Sequence, residues 1–486
     1  MKICIVAEGC YPYVVGGVSS WIHSMIRLFP NAEFIILSIV ANRSMSGKFA
    51  YELGENLVKV QEVYLEDFDW IPSKKSGRRT NLSKEEYRAL RSLMLNQTVD
   101  WNVLFDLFHS KKYSVDDILM GADFLRIVEE HYKRSYPHIT FSDFLWTLRS
   151  MYLPLFLTLN TDVPQADLYH CICTGYAGIL GCMGKYFHNS SLLISEHGIY
   201  TREREEEIIK ATWVESIYKN IWIDQFKKMS RVAYQWADKV TCLYDYAKTL
   251  QIELGCPANK IVVTPNGIDI DRLKDLPGKQ QEDKGMINIG AVLRVAPIKD
   301  VKTMIQAFSY AKAKVPNLKL WIMGPWDEEK EYAEECFELV EVLGVQDVVF
   351  TGRIDVKDYL GRMDMTILTS ISEGQPLTVL ESYAAKKPVI CTDVGCCREL
   401  IYGSGDNLGT AGILTHIMNV EEIANAMEKM ALNEQLRISM GENGYQRVNE
   451  KYAIEDMRKK YDHIYHEFAV LHEKEWTIKG EETWQE

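Results

Sequence analysis

The sequence lacks long apolar runs, because no uninterrupted hydrophobic stretch approaches the roughly 20 residues that span a bilayer. It also lacks the pattern of a signal peptide, since Lys2 is followed by only a short apolar run before Glu8. We therefore expect a soluble chain that works in the cytoplasm.

Positive charge is also scarce, because 55 basic residues face 68 acidic ones and the formal net charge is −13. Nucleic acids and anionic lipid surfaces need a basic protein surface that releases their counterions. We therefore expect no nucleic-acid partner, and any anion site on this protein must be local.

The eleven cysteines lack the spacing of a zinc site. Cys171 with Cys173, and Cys396 with Cys397, have no matching second pair of Cys or His at the required distance along the chain. An odd number of cysteines in a long chain without secretory features predicts reduced, buried thiols rather than a disulfide framework.

The length of 486 residues is too great for one ordinary core and predicts two large domains. Residues 2–7, 19–29 and 33–40 have the pattern of a strand, a helix and a second strand, which is the start of a parallel sheet. From about 66 to 150 the pattern becomes helical, aromatic and charged, which predicts a helical insertion. The strand pattern resumes at 168–173, 191–195 and 239–243.

A second alternation of strands and helices follows Pro277 and the polar run 279–284, which has the composition of a linker. Its predicted strands lie at 286–292, 318–323, 348–351, 365–368 and 388–392. The fold class is therefore α/β, with two doubly wound Rossmann-like domains that face a cleft. The predicted domains are 1–276 and 277–452, followed by a C-terminal helical segment, 453–486.

The strongest motif lies at 372–381, a loop with Gly and Pro that opens a helix. Pro376 suits the first helical turn, where its missing N–H costs nothing. The N–H groups of Leu377 and Thr378 then have no partner inside the helix and predict a diphosphate site. Glu373 and Glu381 lie on either side of these groups, and their carboxylates can hold sugar and ribose hydroxyls.

Two basic residues, Arg294 and Lys299, follow the first strand of the second predicted sheet. A diphosphate leaving group gains negative charge as the bond to the sugar breaks. Two fixed cations can stabilise that charge without a divalent ion. We therefore expect no metal at this site.

In the N-terminal half, Gly16 and Gly17 precede a predicted helix and allow a ligand to approach the backbone closely. His197 follows the predicted strand 191–195, between Glu196 and Gly198. A histidine in such a loop can hydrogen-bond a sugar hydroxyl or meet the reaction centre.

Together these motifs resemble family 4 glycosyltransferases of GT-B fold. The resemblance covers most of the chain and includes the segment 265–269, Pro-Asn-Gly-Ile-Asp. The helical insertion and the phrases 7–13 and 393–399 resemble more narrowly the glycosyltransferases of Pel exopolysaccharide synthesis. One departure is Gly395-Cys396, where many relatives have two glycines, and this change affects the donor pocket.

The resemblance implies a role for each matching residue. Arg294 and Lys299 bind the diphosphate, Glu381 the ribose and Glu373 the transferred sugar. His197 lies beside the anomeric carbon. The backbone at Arg353 and Ile354 pairs with the base, and Gly17 also contacts the donor.

The same resemblance implies a reaction and its partners. The reaction moves a hexose or N-acetylhexosamine from a UDP-sugar to a glycan acceptor, a growing exopolysaccharide, with retention of configuration and without a protein nucleophile or a metal cofactor. The implied partners are inner-membrane polysaccharide synthase subunits, with the chain at the cytoplasmic face. The last helix is expected to return to the N-terminal domain near Tyr452.

The sequence also bears on three other functions. A metal-dependent transferase needs an Asp-x-Asp at a strand end, and the two occurrences, at 67–69 and 269–271, lie in the insertion and in an interdomain segment. A nicotinamide-dependent oxidoreductase needs a Gly-x-Gly-x-x-Gly after the first strand, which is missing. A noncatalytic nucleotide- or glycan-binding subunit of a synthase complex stays open at this point.

Overall fold

The structure, a computed structural model, describes residues 1–40, 43–65 and 80–476. The chain forms two compact units. The first comprises residues 1–242, 248–263 and 462 onwards, and the second comprises 243–247 and 264–461. The predicted division at 276 and 277 therefore falls inside the second unit, because residues 264–276 pack with the second sheet.

The first unit contains a sheet of seven parallel strands in the order β3-β2-β1-β4-β5-β6-β7. The chain moves outward from β1 in one direction and then restarts at β4 on the other side, so a topological switch point lies between β1 and β4. The strands are β1 (Lys2–Glu8), β2 (Glu33–Val40), β3 (Leu57–Tyr64), β4 (Leu168–Cys171), β5 (Ser191–Ser195), β6 (Lys239–Cys242) and β7 (Ile261–Val263).

Ten helices accompany these strands in the described part of the chain up to Glu253. They are α1 (Gly17–Leu28), α2 (Lys84–Met94), α3 (Trp101–His109), α4 (Val115–Leu119), α5 (Ala122–Ser135), α6 (Phe141–Leu159), α7 (Tyr176–His188), α8 (Tyr200–Lys210), α9 (Lys219–Trp236) and α10 (Asp245–Glu253). Five of them, α2 to α6, lie between β3 and β4. The predicted helical insertion is therefore confirmed.

The insertion has helix starts and an aromatic core of its own. Ser83 and Glu86 form a capping box at the start of α2, in which each side chain accepts a backbone N–H of the other residue. The rings of Phe108 and Phe156 are 4.9 Å apart, and Tyr152 stacks on Phe156 at 5.6 Å. The basic run 74–79 and the Asp-x-Asp at 67–69 lie outside the described residues.

The second unit contains a sheet of six parallel strands in the order β10-β9-β8-β11-β12-β13, which is the order of a dinucleotide-binding Rossmann fold. The strands are β8 (Ile287–Val292), β9 (Leu318–Met323), β10 (Val348–Gly352), β11 (Met365–Leu368), β12 (Val389–Thr392) and β13 (Gly412–Thr415). The helices are α11 (Val301–Lys314), α12 (Lys330–Leu343), α13 (Val356–Leu360), α14 (Leu377–Ala384), α15 (Cys397–Tyr402), α16 (Val420–Leu432), α17 (Glu434–Lys451) and α18 (Ile454–Leu471). The predicted fold class, two doubly wound Rossmann-like domains, is confirmed.

Two segments around the second sheet differ from a simple linker. Asp283, in the polar run that has linker composition, is fully buried and pairs with Arg362 at 2.7 Å and Lys319 at 3.3 Å. At the other end of the unit, Ile268 donates and accepts backbone hydrogen bonds with Tyr452 and Ile454, each 2.9 Å long. These contacts tie 264–284 to the second unit.

The last helix, α18, begins in the second unit, and its residues from Asp462 onwards belong to the first. There the Tyr465 hydroxyl lies 2.8 Å from Nδ1 of His170 in β4. His472 Nε2 lies 2.8 Å from the Ser191 hydroxyl, at the start of β5. The chain end therefore packs on the strands that also carry the loop of His197.

All eleven cysteines are free thiols, as the sequence predicts. Nine are buried, whereas Cys10 and Cys173 are partly exposed, so the predicted burial holds for Cys171, Cys396 and Cys397 but not for Cys173. No helix in residues 1–40, 43–65 or 80–476 is both long enough and apolar enough to cross a membrane.

Candidate active site

Two loops at the switch point of the second sheet bring a cation and a carboxylate together. Lys299 follows β8, Glu373 follows β11, and these two strands are neighbours. Lys299 Nζ lies 2.5 Å from Glu373 Oε1, and their side chains are 20% and 12% exposed. Lys299 and Glu373, which the sequence predicts to act at the reaction centre, are therefore in contact.

The backbone around this pair is held by hydrogen bonds between the same two loops. The Thr369 hydroxyl donates to the carbonyl oxygens of Lys299 and Asp300, at 2.9 and 3.1 Å, and the Ile371 N–H donates to the Ile298 carbonyl at 2.9 Å. The Ser370 hydroxyl donates to Glu373 Oε1 at 2.5 Å. Because both loops are fixed, the ammonium and the carboxylate are positioned before any ligand binds.

Helix α14 opens directly beside Glu373. Its cap residue is Pro376, so the helix begins at Leu377, one residue later than predicted. The N–H groups of Leu377 and Thr378 have no acceptor within the part of the chain that the structure describes. Such groups, with the positive end of the helix dipole, are able to bind an anion. Glu373, which contacts the ammonium of Lys299, lies just before this helix start.

The loop before α14 needs a glycine as its neighbour. Gly395 has a φ of +54°, and a Cβ there would come within 2.3 Å of the carbonyl oxygens of Glu373 and Gly374. The next residue, Cys396, donates its N–H to the Gly374 carbonyl at 2.9 Å, and its side chain is buried. The cysteine at this position therefore packs into the core behind the loop, and Gly395 permits the close contact.

Arg294 takes part in an exposed ion pair. Its guanidinium pairs with Glu328 at 2.8 Å, and both side chains are about half exposed. An exposed ion pair of this kind contributes only about 0–1 kcal/mol. Arg294 can therefore leave Glu328 for a diphosphate at little cost in free energy.

Glu381 lies one turn into α14, and burial raises the pKa of its carboxyl to about 7. The charge of Arg272 acts to lower this pKa and the charge of Asp355 to raise it. Arg272 and Asp355 also pair with each other at 3.7 Å. Glu381 thus changes charge near neutral pH, with one cation close by.

Arg353 and Ile354 follow β10 and precede α13. Arg353 is exposed, and Ile354 packs against a small buried cluster that includes Trp321 and Met363. No backbone group of Arg353 or Ile354 is hydrogen-bonded within the described ranges. Their N–H and C=O groups are free to pair with the edge of a base.

Gln375 is a positioning residue that the motif analysis did not single out. Its amide accepts the N–H of Asn266 at 2.7 Å and donates to the Asn266 carbonyl at 3.4 Å. The side chain thereby joins the loop of Glu373 to the segment 265–269. The signal in the sequence was a polar residue between Gly374 and Pro376, where solvent exposure is the ordinary expectation.

In the first unit, His197 follows β5 and lies against α1. Its ring is 4.5 Å from that of Trp21, edge to face, and its Nε2 is buried without a hydrogen-bond partner in the described residues. Burial lowers the pKa of His197 to about 4. The imidazole is therefore neutral at physiological pH and can hydrogen-bond a ligand without carrying charge.

Glu196 fixes the loop that carries His197. It is buried, and its two carboxylate oxygens accept hydrogen bonds from Tyr234, Gln251 and Thr174 and from the Tyr200 N–H, at 2.5 to 3.4 Å. A buried carboxylate is tolerated only with such partners. Its contribution is the orientation of the neighbouring histidine.

Gly17 is the first residue of α1, one turn before Trp21. A Cβ on Gly16 or Gly17 would meet nothing within 4 Å, and neither residue has a positive φ. Neither glycine is therefore required by the packing of its own unit. The open space in front of this helix end is available to a ligand.

A small cavity of about 210 Å³ lies beside His197. It includes three charged residues that the sequence analysis did not propose as site residues: Glu8 at the end of β1, and Glu203 and Arg204 on α8. The charge run 202–207 is typical of a solvated helix face. Only the fold reveals that two of its residues line this cavity.

No group of three or more His, Cys, Asp or Glu side chains is arranged for a metal ion in the described ranges. In the Asp-x-Asp at 269–271, Asp269 accepts the N–H of Arg272 and Asp271 pairs with Lys274.

Two family models match the chain. Residues 1–259 match a domain of unknown function, DUF3492, and residues 273–447 match glycosyl transferases group 1. The group 1 match contains Lys299, Glu373 and Glu381. The DUF3492 match contains Gly17, His197 and the helical insertion.

Curated relatives and solved structures agree with these matches. The chain is 29% identical over 203 residues to N-acetyl-alpha-D-glucosaminyl L-malate synthase of Bacillus anthracis, covering 41% of this chain and 49% of the relative. It is 26% identical over 220 residues to the capsular polysaccharide biosynthesis glycosyltransferase CapM of Staphylococcus aureus, covering 43% and 56%. The chain thus spans about half the length of the curated relatives it matches.

The crystal structure of HepE from Anabaena in complex with UDP and glucose superposes with a TM-score of 0.59 at 14% identity, covering 96% of this chain and all of that one. At this identity the likeness bears on the fold, which is GT-B.

Proposed function

The chain belongs to the DUF3492 family and carries a glycosyl transferases group 1 domain, and from this premise we propose that it is a retaining, metal-independent glycosyltransferase of family 4. It transfers a hexose or N-acetylhexosamine from a UDP-sugar to a growing exopolysaccharide. The observation that carries this proposal is the contact between Lys299 and Glu373, beside the unpaired N–H groups at the start of α14.

In the proposed reaction, the bond between the anomeric carbon and the β-phosphate oxygen breaks while the acceptor hydroxyl bonds to the same face of that carbon. The acceptor proton leaves with the diphosphate, so no protein nucleophile is needed. Lys299 and the N–H groups of Leu377 and Thr378 stabilise the charge that develops on the β-phosphate. Arg294 exchanges Glu328 for the diphosphate, and Gly17 approaches the donor through its backbone.

Glu373 accepts hydrogen bonds from hydroxyls of the transferred sugar, and Lys299 and Ser370 keep its carboxylate oriented. His197, neutral at physiological pH, acts beside the anomeric carbon by a hydrogen bond. These two roles follow the family resemblance. They agree with the burial and the partners that each side chain has in its own unit.

Glu381 holds the ribose hydroxyls, and this role predicts a pH effect on donor binding. Hydroxyls bind a carboxylate more strongly than a neutral carboxyl. With a pKa of about 7, the carboxylate fraction rises about tenfold between pH 6 and pH 8. The KM for the UDP-sugar should fall by up to about the same factor over this range.

The measurement is the KM for the UDP-sugar at saturating acceptor from pH 6 to pH 8, for the wild type and for Glu381→Gln. The diphosphate of the intact donor stays ionised from pH 6 to pH 8, so it does not contribute to the change of KM with pH. The variant should have a weaker but flat profile. A wild-type slope that persists unchanged in Glu381→Gln would assign the titration to another group.

The nucleotide should be a uridine diphosphate, because the free backbone groups of Arg353 and Ile354 are proposed to pair with the base. We expect UDP to raise the thermal transition of the protein more than GDP or ADP does at equal concentration. Differential scanning fluorimetry with the three nucleotides measures this. Equal shifts with all three would contradict base selection at this loop.

Activity should also survive removal of divalent ions, since Lys299, Arg294 and the start of α14 supply the positive charge at the diphosphate. Transfer and donor hydrolysis are measured before and after treatment with EDTA. A loss of turnover that manganese or magnesium restores would overturn the metal-independent mechanism.

The product and setting proposed are Pel-like. The phrases 7–13 and 393–399 support a protein close to PelF, the Pel exopolysaccharide glycosyltransferase, and CapM acts in capsular polysaccharide biosynthesis. We propose that the chain acts on the cytoplasmic side with inner-membrane synthase subunits.

Release of UDP from a panel of UDP-sugars tests the activity itself. If the protein binds UDP but releases none from any donor, with or without acceptor, it is a noncatalytic binding subunit.

A further inference from the structure

The cavity beside His197 lies where an open α/β sheet ordinarily binds its ligand. Glu8 ends β1, Ile172 and Cys173 follow β4, and His197 follows β5, so the carboxyl ends of three neighbouring strands meet there. The topological switch point of this sheet lies between β1 and β4, and crevices at such points are the usual ligand sites.

The cavity wall carries polar groups whose hydrogen bonds are not satisfied within the described chain. Nε2 of His197 and Nε of Arg204 are buried without partners. Glu203 also lines the cavity, and it is an exposed residue whose carboxyl a ligand can reach. His197, Glu203 and Arg204 all line this cavity, and their side chains offer both donor and acceptor groups, which suits a ligand whose groups both donate and accept, as sugar hydroxyls do.

Glu203 is held at the cavity by the backbone next to His197. A Cβ on Gly198 would come within 1.9 Å of Glu203 Oε1, so the carboxyl occupies the space that any larger residue at 198 would fill. This contact places Glu203 and His197 side by side. Glu8 differs, because its oxygens already accept hydrogen bonds from Tyr200 at 3.0 Å and from the Ala177 N–H at 3.3 Å.

The charges around the cavity select against anions. Among the described residues that line it, Glu8 and Glu203 are acidic and Arg204 is the one cation. Arg204 already pairs with Glu207 at 2.6 Å and lies 3.6 Å from Glu8. His197 is neutral at physiological pH, as described above. A carboxylate or phosphate on the ligand would face two acidic residues and no free cation in this wall.

We propose that this cavity binds the terminal sugar of the acceptor, an uncharged hexose or N-acetylhexosamine, and that Glu203 accepts a hydrogen bond from one of its hydroxyls. The proposal rests on the proposed function and names the substrate class of its second site. A volume of about 210 Å³ lies below the range of roughly 300–1,000 Å³ for drug-sized ligands, so the site takes one sugar ring.

The test uses saturation-transfer NMR on the full chain with UDP present. The probes are the methyl glycosides of glucose, galactose, N-acetylglucosamine and N-acetylgalactosamine, with methyl glucuronide as the anionic comparison. At least one neutral glycoside should bind, and the glucuronide should bind at least about tenfold more weakly than that glycoside. No binding by any neutral glycoside, or equal binding of the glucuronide, would overturn the proposal.

Two variants assign the effect to Glu203. Glu203→Ala should weaken the neutral glycoside by about five- to tenfold, the worth of one hydrogen bond. Glu203→Gln keeps the shape of the side chain but removes its charge. The difference in affinity between the neutral glycoside and the glucuronide should therefore become smaller. The matched control is Glu206→Ala on the same helix, whose exposed carboxylate pairs with Lys210 at 3.7 Å. Glu206→Ala should bind as the wild type does.

Donor hydrolysis without acceptor separates this proposal from the proposed function. It should be unchanged in Glu203→Ala, as should the thermal shift with UDP. If donor hydrolysis falls in parallel with glycoside binding, the cavity belongs to the donor and the acceptor assignment is wrong. If the wild type hydrolyses no donor while glycosides bind, the proposed function fails and the sugar site stands.

Discussion

Lys299→Ala should lower the turnover number by about two powers of ten, which is the largest effect on rate expected for one residue here. Bond cleavage moves negative charge onto the β-phosphate, and a fixed ammonium gains interaction as that charge grows. The loss is on the order of 3 kcal/mol of transition-state stabilisation. Because the interaction strengthens in the transition state, kcat and kcat/KM should fall together.

The structure makes this experiment sharper than a charge deletion alone. Lys299→Arg keeps the charge but should recover little, since a planar guanidinium does not reproduce a compact ammonium held against Glu373. The matched control is Lys302→Ala, three residues on, whose exposed ammonium pairs with Glu335. This control should retain wild-type rates. Near-normal turnover of folded Lys299→Ala at saturating donor would remove Lys299 from the catalytic role.

The neighbouring positions of Lys299 and Glu373 could be predicted because a doubly wound sheet places its functional loops at the carboxyl ends of its strands. Predicted strands at 318–323 and 365–368 have the observed bounds of β9 and β11. These strands are buried and apolar, so their sequence pattern is clear. Once they are located, the loops that follow β8 and β11 must lie side by side.

The three strands that the sequence did not predict all lie at sheet edges. They are β3, β7 and β13. In β3 the residues Lys59, Gln61 and Glu62 interrupt the apolar pattern, and β7 and β13 have only three and four residues. Edge strands are commonly short and charged, since one side has no strand to pair with. Their pattern therefore resembles that of loops.

The sequence also does not show which charged residues are buried or line a cavity. Asp283 belongs to a polar run with the composition of a linker, yet it is buried, and Glu203 and Arg204 belong to a run of charges, yet they line a cavity. Charge in a sequence ordinarily indicates exposure. Which charged side chains are paired and buried depends on contacts between distant segments, such as that of Asp283 with Arg362, and no local pattern encodes these.

Arg447, in α17, is a charged residue that is fully buried. Its guanidinium makes five hydrogen bonds: two to Asp406, and one each to the carbonyls of Leu400, Ile401 and Gly409, at 2.6 to 3.1 Å. All five N–H groups of the side chain are therefore used. Together they hold the connection from α15 to β13 against α17.

Asp406, the carboxylate of this pair, is almost fully buried as well. The hydrogen bonds from Arg447 hold its pKa well below its usual range. In the unfolded chain the pKa of this carboxyl is about 4. Because the pKa is lower in the folded protein, the ionised carboxylate stabilises the fold at any pH above about 4, and this stability is lost as the pH falls below that value. The pair is thus fully formed at neutral pH.

We therefore expect Arg447→Met to lower the free energy of unfolding of the second unit by about 3–5 kcal/mol, because it leaves the Asp406 carboxylate buried. Among the described residues, Lys451, at 3.2 Å, is then the one cation paired with this carboxylate. For a unit of this size the transition should fall by roughly 6 to 20 °C. Calorimetry measures this change, with UDP present and absent to identify the transition of the unit that carries Lys299.

The double variant Asp406→Leu with Arg447→Met should regain much of the lost stability, since no unpaired charge remains. The exposed pair of Arg398 and Asp393 supplies the control, and Arg398→Met should cost at most about 1 kcal/mol. Equal, small losses in Arg447→Met and Arg398→Met would show that the buried network does not hold this unit together.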